Sequence, residues 1–285
     1  MQEQIKQRLE NIISTMTQLP SIPDVVSRII NMVNDPNVDF KAVADEIAKD
    51  QSLTTNILKL CNSAYFSKGK EIVSVDRAIV TLGLKEIKDI VVLVTCRNVL
   101  DKPILGYDLA AGEMWTHNLT VAILAKKMAI DIKRKDLADI VFTGGIIHDV
   151  GKTVLALYVA NTFKDIMKVT QEKAVTFIDA EKDVMGFNHQ DIGLKILEKW
   201  KFPDSLKAVV AHHHNPENSP KEFYKAVSIV HVANIITLMA GVGIGGDGLY
   251  HALNPDAVKE TGISDADLEK YYSIVPEIVK QAKQI

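Results

Sequence analysis

A histidine and an aspartate stand side by side, His148-Asp149, after the apolar run Ile140-Val141-Phe142-Thr143-Gly144-Gly145-Ile146-Ile147 and before Val150-Gly151-Lys152. An imidazole nitrogen next to a carboxylate oxygen is a mixed N/O donor pair suited to a divalent transition metal or Mg²⁺. Two ligands do not hold a metal, so others must come from elsewhere. The chain has eight histidines; seven lie between residues 117 and 231, and the first 116 residues have none. Histidine chemistry therefore belongs to the second half. His117, His148, Asp149, His189 and one or two of His212-His213-His214 each fall near an expected helix end, from which side chains can converge on one cavity. Scattered surface histidines are the alternative that this spacing leaves open.

If they converge, neutral imidazoles and the Asp149 carboxylate, which can bridge, would hold one or two metal ions and leave positions for water. Metal-bound water ionises far more readily than bulk water, and Lys152 would neutralise a phosphate oxygen. Asp149 and Lys152 are thus the catalytic candidates, and phosphoester hydrolysis is the reaction class. Lys152 could equally be only a charge at the start of the outgoing helix, and His214 either a second ligand or a helix-end cap. His231 and His251 read as structural or solvated. His212 is expected to point away, since successive helical residues diverge by about 100°.

The elements that must position these residues read as helices throughout. Ile5, Leu9, Ile12 and Ile13 form one stripe of a helix over 1–18, which Leu19-Pro20-Ser21-Ile22-Pro23 ends. Val25, Val26, Ile29, Ile30 and Val33 mark a second, broken at Asn34-Asp35-Pro36-Asn37. Asp39 is the expected N-cap of Phe40–Lys49, Asp50 or Ser52 of the next helix, and Ser74 of Val75–Leu82, with Gly83 just past its end. Lys85–Leu100 carries the β-branched run Ile90-Val91-Val92-Leu93-Val94, read as helix because no alternating partner strand is near. In the second half, helices are expected over 115–130, 136–146, 152–168, 171–186 and 188–200. Others run from Pro203 toward His212, over 223–239, and over 265–272 behind Ser264. About a dozen short helices imply an all-α, compact multi-helix fold.

At 285 residues and 47% hydrophobic, the chain can bury one large core or two modest ones. A net charge of −3 without long basic runs leaves no footprint for non-specific nucleic-acid binding, and no specific nucleic-acid partner is expected. Cys61 and Cys96 have no metal or redox spacing and read as reduced thiols of a cytosolic chain. The charged start, Met1 to Arg8, lacks the apolar core of an export signal, so a cytoplasmic location is expected. Ala226–Gly246 has no formally charged residue, but Ser228, His231, Asn234, Thr237 and its glycine-rich end favour a buried core helix over a membrane span.

His148-Asp149 with upstream His117 resembles the HD superfamily of metal-dependent phosphohydrolases. His148 to Lys152, His189 with Gly193, and His213-His214 look like its branch that hydrolyses cyclic dinucleotides. The first half carries a stronger resemblance. Leu19 to Pro23, Asp50-Gln51-Ser52-Leu53, Asn62-Ser63-Ala64-Tyr65-Phe66, and Val75-Asp76-Arg77-Ala78-Ile79 leading to Leu82-Gly83 resemble the HDOD family. His189 to Gly193, Trp200 with Pro203, and His213-His214-Asn215-Pro216 resemble that family's second half.

This resemblance implies an HDOD domain over 14–216, with an HD-like fold. An N-terminal helical lobe (1–105) precedes a histidine-bearing lobe (106–240) and a C-terminal helical extension (241–285). It also implies a bacterial signalling or regulatory module that binds a protein partner or a small nucleotide-like ligand, with a metal-dependent phosphohydrolase as the alternative. Many HDOD proteins lack the metal ligands, whereas this chain keeps most. The implied set is His117, His148, Asp149, His189, His213, His214 and Asn234, for Fe, Mn, Zn or Ni. Asn234 takes the place of a further metal-binding Asp of the HD enzymes, and a neutral amide is the weaker ligand. Asn215-Pro216-Glu217-Asn218 stands where the cyclic-dinucleotide enzymes carry Gly-Tyr-Pro. These two departures weigh against cyclic-dinucleotide hydrolysis and leave metal binding.

Overall fold

Side-chain caps start the first helices where the sequence places them. The structure, a computed structural model, describes residues 24–33, 35, 37–67, 69 and 71–285; the helix expected over 1–18 and the Leu19 to Pro23 motif lie outside them. The first half contains α1 (Asp24–Val33), α2 (Phe40–Ala48), α3 (Gln51–Cys61), α4 (Val75–Leu82) and α5 (Leu84–Leu100). Asp39, Asp50 and Ser74 accept from the backbone N–H groups of Lys41, Leu53 and Arg77. Each cap satisfies a donor that the first helical turn leaves unpaired. Gly83, at φ 93°, ends α4 and allows α5 to begin at the next residue.

The second half contains α6 (Glu113–Asp131), α7 (Ala138–Ile147), α8 (Val150–Lys173), α9 (Phe177–Met185), α10 (His189–Lys199), α11 (Asp204–His212), α12 (Tyr224–Met239), α13 (Pro255–Thr261) and α14 (Asp265–Ala282). Among the described residues there is no strand, only an isolated bridge between Ile104 and Leu109. The fold is all-α, and Ile90 to Val94 are helical.

Three boundaries differ from the sequence reading. Helix α8 runs on to Lys173 and stops where Ala174 turns left-handed, so the next helix starts at Phe177 behind the Thr176 cap. Helix α13, capped by Asn254 with Pro255 in its first turn, has no counterpart in that reading. Helix α14 passes through Pro276 to Ala282 because Val275, Ile278 and Ala282 are buried, and packing overrides the proline.

The Asn62 to Phe66 motif is a clamp. The Asn62 side chain donates to the Leu58 and Ile72 carbonyls and accepts from Ile72 N–H at 2.8 Å, closing the loop between α3 and α4. Phe66 is buried and meets Tyr65 edge to face, with ring centroids 4.8 Å apart. Helices α1–α5 pack on one another, and α5 also packs against α7. In the second half α6 and α7 form the central pair, α12 lies across both, and α14 covers α6. The buried apolar residues form one cluster from Val25 to Ile285. Cys61 and Cys96 are free and buried within it. No single helix among the described residues is long and apolar enough to cross a membrane, and the uncharged α12 is a core helix.

Candidate metal centre

Glycines let the site's helices approach closely. A Cβ on Gly151, in the first turn of α8, would lie 1.9 Å from the His189 carbonyl oxygen, and one on Gly193 would lie 2.5 Å from Val210 Cγ1. One on Gly145 would lie 2.6 Å from the Ala122 Cα of α6. These contacts bring four chain segments to one point. His148 and Asp149 are the two residues between α7 and α8; His189 opens α10; His213 and His214 follow α11; His117 lies in the second turn of α6.

The sequence-predicted histidines converge. Asp149, His189, His213 and His214 each offer a ligand atom within 4.8 Å of the others, and His117, His148 and Asp149 form a second such group sharing the carboxylate. His212, half-buried, stays out of both, as expected from its helical position. Asn234 on α12 is buried and its Oδ1 has no partner.

Hydrogen bonds fix the imidazole tautomers. The Nδ1 atoms of His117, His148 and His213 lie 2.9, 2.8 and 3.0 Å from the carbonyl oxygens of Val242, Gly145 and Val210. A carbonyl can only accept, so each Nδ1 carries the proton and each Nε2 a lone pair. The Nε2 atoms of His148 and His213 face Asp149 oxygens at 3.5 and 3.4 Å, and His189 Nε2 lies 3.5 Å from Asp149 Oδ1. All three, with His214 Nε2 and Asp149 Oδ1, are buried without a hydrogen-bond partner. Lone pairs aimed at a carboxylate need a cation between them. Protonated imidazoles do not supply it, because burial pushes His148 down to about 3 and His117 and His213 to about 4. The donor set, three to five imidazoles and a carboxylate, fits a divalent transition metal.

Glu181, Tyr107, Asp247 and His251 support the ligands, and the sequence reading named none of them as a site residue. Glu181 on α9 accepts from His189 Nδ1 at 2.9 Å and from the Tyr107 hydroxyl. Asp247 accepts from Lys152 Nζ at 2.7 Å, and His251 Nε2 lies 3.4 Å from the same oxygen. His251 also stacks on His214, with centroids 4.0 Å apart, so its side chain is enclosed beside the cluster rather than solvated. The available signals were weak: a glutamate eight residues before His189, and an aspartate directly after the Gly241 to Gly246 stretch. That stretch closes over His117, whose Nδ1 binds Val242 O and whose Cβ would lie 2.6 Å from a Cβ on Gly243, a residue at φ 60°. His231 is structural: it donates from Nδ1 to His213 O at 2.7 Å and accepts from Asn254 N–H at 2.9 Å.

Lys152 is buried between Asp149 Oδ2, at 2.9 Å, and Asp247. Burial opposes the charge on each member of this trio. The ion pairs outweigh it, holding Lys152 above its ordinary range and both carboxyls well below theirs.

Fold and cluster together define an all-helical protein with a histidine/aspartate centre able to hold a metal. The chain belongs to the HDOD domain family, which it matches over residues 19–216. Its backbone is similar to that of an HDOD domain protein of unknown function from Geobacter sulfurreducens, at 24% identity and TM-score 0.75, covering 98% of each chain. A candidate phosphohydrolase of Shewanella amazonensis SB2B is 22% identical, with TM-score 0.71, covering 96% of this chain and 97% of that one. A candidate signal transduction protein of Marinobacter aquaeolei VT8 is 18% identical, with TM-score 0.73, covering 93% and 58%. An uncharacterized protein of Treponema pallidum (strain Nichols) is 21% identical over 82% of this chain, which spans 45% of that relative's length.

Proposed function

We propose that this HDOD protein is a regulatory module in which the second half binds a divalent metal and the first half presents the surface read by a signalling partner or a small nucleotide-like ligand. The observation that carries this reading is how the cluster is closed: the unpartnered ligand atoms are buried, and Lys152 is spent on Asp149 and Asp247. A lysine so held compensates charge inside the protein and is not free to meet a phosphate. Phe40, Val73 and Val80 in the first half leave apolar side chains exposed. Helix α5 packs against α7, whose C-terminal end carries His148, so the two halves share a continuous contact.

Hydrogen exchange with and without added cobalt(II) tests this reading. Increased protection at α7, α10 and α11 is expected to extend to α5, and unchanged protection throughout residues 24–105 would sink the coupling of the halves.

A second reading, a metal-dependent phosphohydrolase acting on a nucleotide or phosphoester, draws on the retained ligands and on His214, which is only partly buried while its Nε2 lacks a partner. A bound ion there would act as Lewis acid and activate water. Phosphate release by metal-loaded protein above that of the variant His148→Ala with Asp149→Ala, on a panel of phosphodiesters and nucleotides, would favour this second reading.

A further inference from the structure

The two oxygens of Asp149 have different surroundings. Oδ1 has no hydrogen-bond partner and faces the Nε2 atoms of His189 and His213 at 3.5 and 3.4 Å, while Oδ2 receives the Lys152 ammonium at 2.9 Å. Lys152 thus places a positive charge against Oδ2, while no ammonium or guanidinium among the described residues pairs with Oδ1. We infer that the cluster is built for one divalent ion, held by Asp149 Oδ1, His189, His213 and His214, and that the Lys152 ammonium takes the charge position a second ion would need beside His117 and His148. This rests on the metal-binding reading above and sharpens it.

Three observations support the count. The first is charge: the buried carboxylates around the cluster are Asp149, Glu181 and Asp247, and the one buried ammonium is Lys152, which leaves two negative charges. One divalent ion balances them, and a second would leave the site doubly positive away from water. The second is rigidity. Lys152 is also held by Asp247 at 2.7 Å, and Asp247 lies against His251, which stacks on His214, so the ammonium cannot swing aside without unpairing a buried carboxylate. The third is the donor set. The two histidines that would meet a second ion, His117 and His148, are neutral, so they add no charge to offset the repulsion between an incoming ion and the ammonium.

Cobalt(II), whose visible absorption reports imidazole ligation, is the probe. Titrated into the full chain, it should reach its endpoint at one ion per chain, with the same content by elemental analysis after desalting. Lys152→Met should raise the content to two. If the variant does not fold, with Asp149 and Asp247 both unpaired, Lys152→Gln removes the charge while leaving an amide that can donate to a carboxylate, and should still take two. His213→Ala should lose the single ion and His117→Ala should keep it. Two ions in the wild type, one ion in the folded Lys152 variant, or loss of the ion only in His117→Ala would each overturn the inference while leaving metal binding intact. No cobalt taken up by the wild type would remove the metal-binding reading itself.

Discussion

His189 shows how a single side chain is committed to one role. Its Nδ1 meets Glu181 Oε2 at 2.9 Å, and Glu181 accepts again from the His189 backbone N–H at 3.2 Å, so the ring orientation and tautomer are both set from outside the cluster. Outer partners of this kind raise ligand basicity, and losing one costs about 10–100-fold in metal affinity. Glu181→Gln should therefore weaken cobalt(II) binding by about that factor in competition with a chelator, without loss of the helical fold. Unchanged affinity would remove Glu181 from the site. His231 governs a different property. Both its nitrogens are used, and burial pushes it down to about 4. An unfolded histidine takes up its proton near pH 6.5, so between those values the unfolded chain binds more protons and the folded state loses stability as pH falls. In metal-free protein, urea unfolding at pH 7 and pH 5 should show His231→Leu losing roughly 2 kcal/mol less over that interval than the wild type. Parallel pH profiles would show that His231 does not contribute. His117, His148 and His213 are shifted in the same direction, so the wild type keeps a slope of this sign from them as well.

At the scale of elements, the helix starts were legible because caps are local. Asp39, Asp50, Ser74 and Ser264 each bond a backbone N–H two or three residues on, and the information sits within one turn of chain. The helix ends that differed depend on distant contacts: α14 continues through Pro276 because its later residues reach the core. The same division runs through the site. His117, His148, Asp149, His189 and His213 were recognisable by type and spacing, and the structure brings them together. Glu181, Asp247 and His251 were not, because a carboxylate or an imidazole becomes a supporting residue only once the fold places it beside a ligand. What brings the ligands together is close helix contact, as at the α8–α10 approach. Gly151→Ala forces a Cβ to within 1.9 Å of the His189 carbonyl oxygen, a backbone atom that cannot step aside. The expected cost is about 3 kcal/mol or more in the urea midpoint, together with weaker cobalt(II) uptake. Gly262→Ala, at φ 74° in open space, is the control and should cost about 1–2 kcal/mol with uptake unchanged. Equal effects at both positions would mean that backbone conformation, not the tight approach, sets the penalty.

For the whole molecule, the decisive feature is that the histidine-free first half and the histidine-bearing second half share one core, with α5 as their common helix. Asp89 of α5 is fully buried there. It pairs with Lys126 of α6 at 3.0 Å, Lys126 also reaches Glu86 at 3.1 Å, and Thr143 of α7 lies 3.4 Å from the other Asp89 oxygen. Burial pushes the Asp89 carboxyl up to about 7, with Lys126 opposing the rise. Removing Lys126 leaves a buried carboxylate without its counter-charge, which typically costs about 3–5 kcal/mol. Lys126→Met should lose that much stability at pH 8. Because its Asp89 is then protonated more readily in the folded chain than in the unfolded one, the variant should regain stability as pH falls toward 6. Urea unfolding of both proteins at the two pH values checks the size and the sign. A pH-independent loss would mean that Lys126 acts by packing its stem against Phe142, whose ring centre lies 4.8 Å from its ammonium, and not through its charge at the junction of the halves.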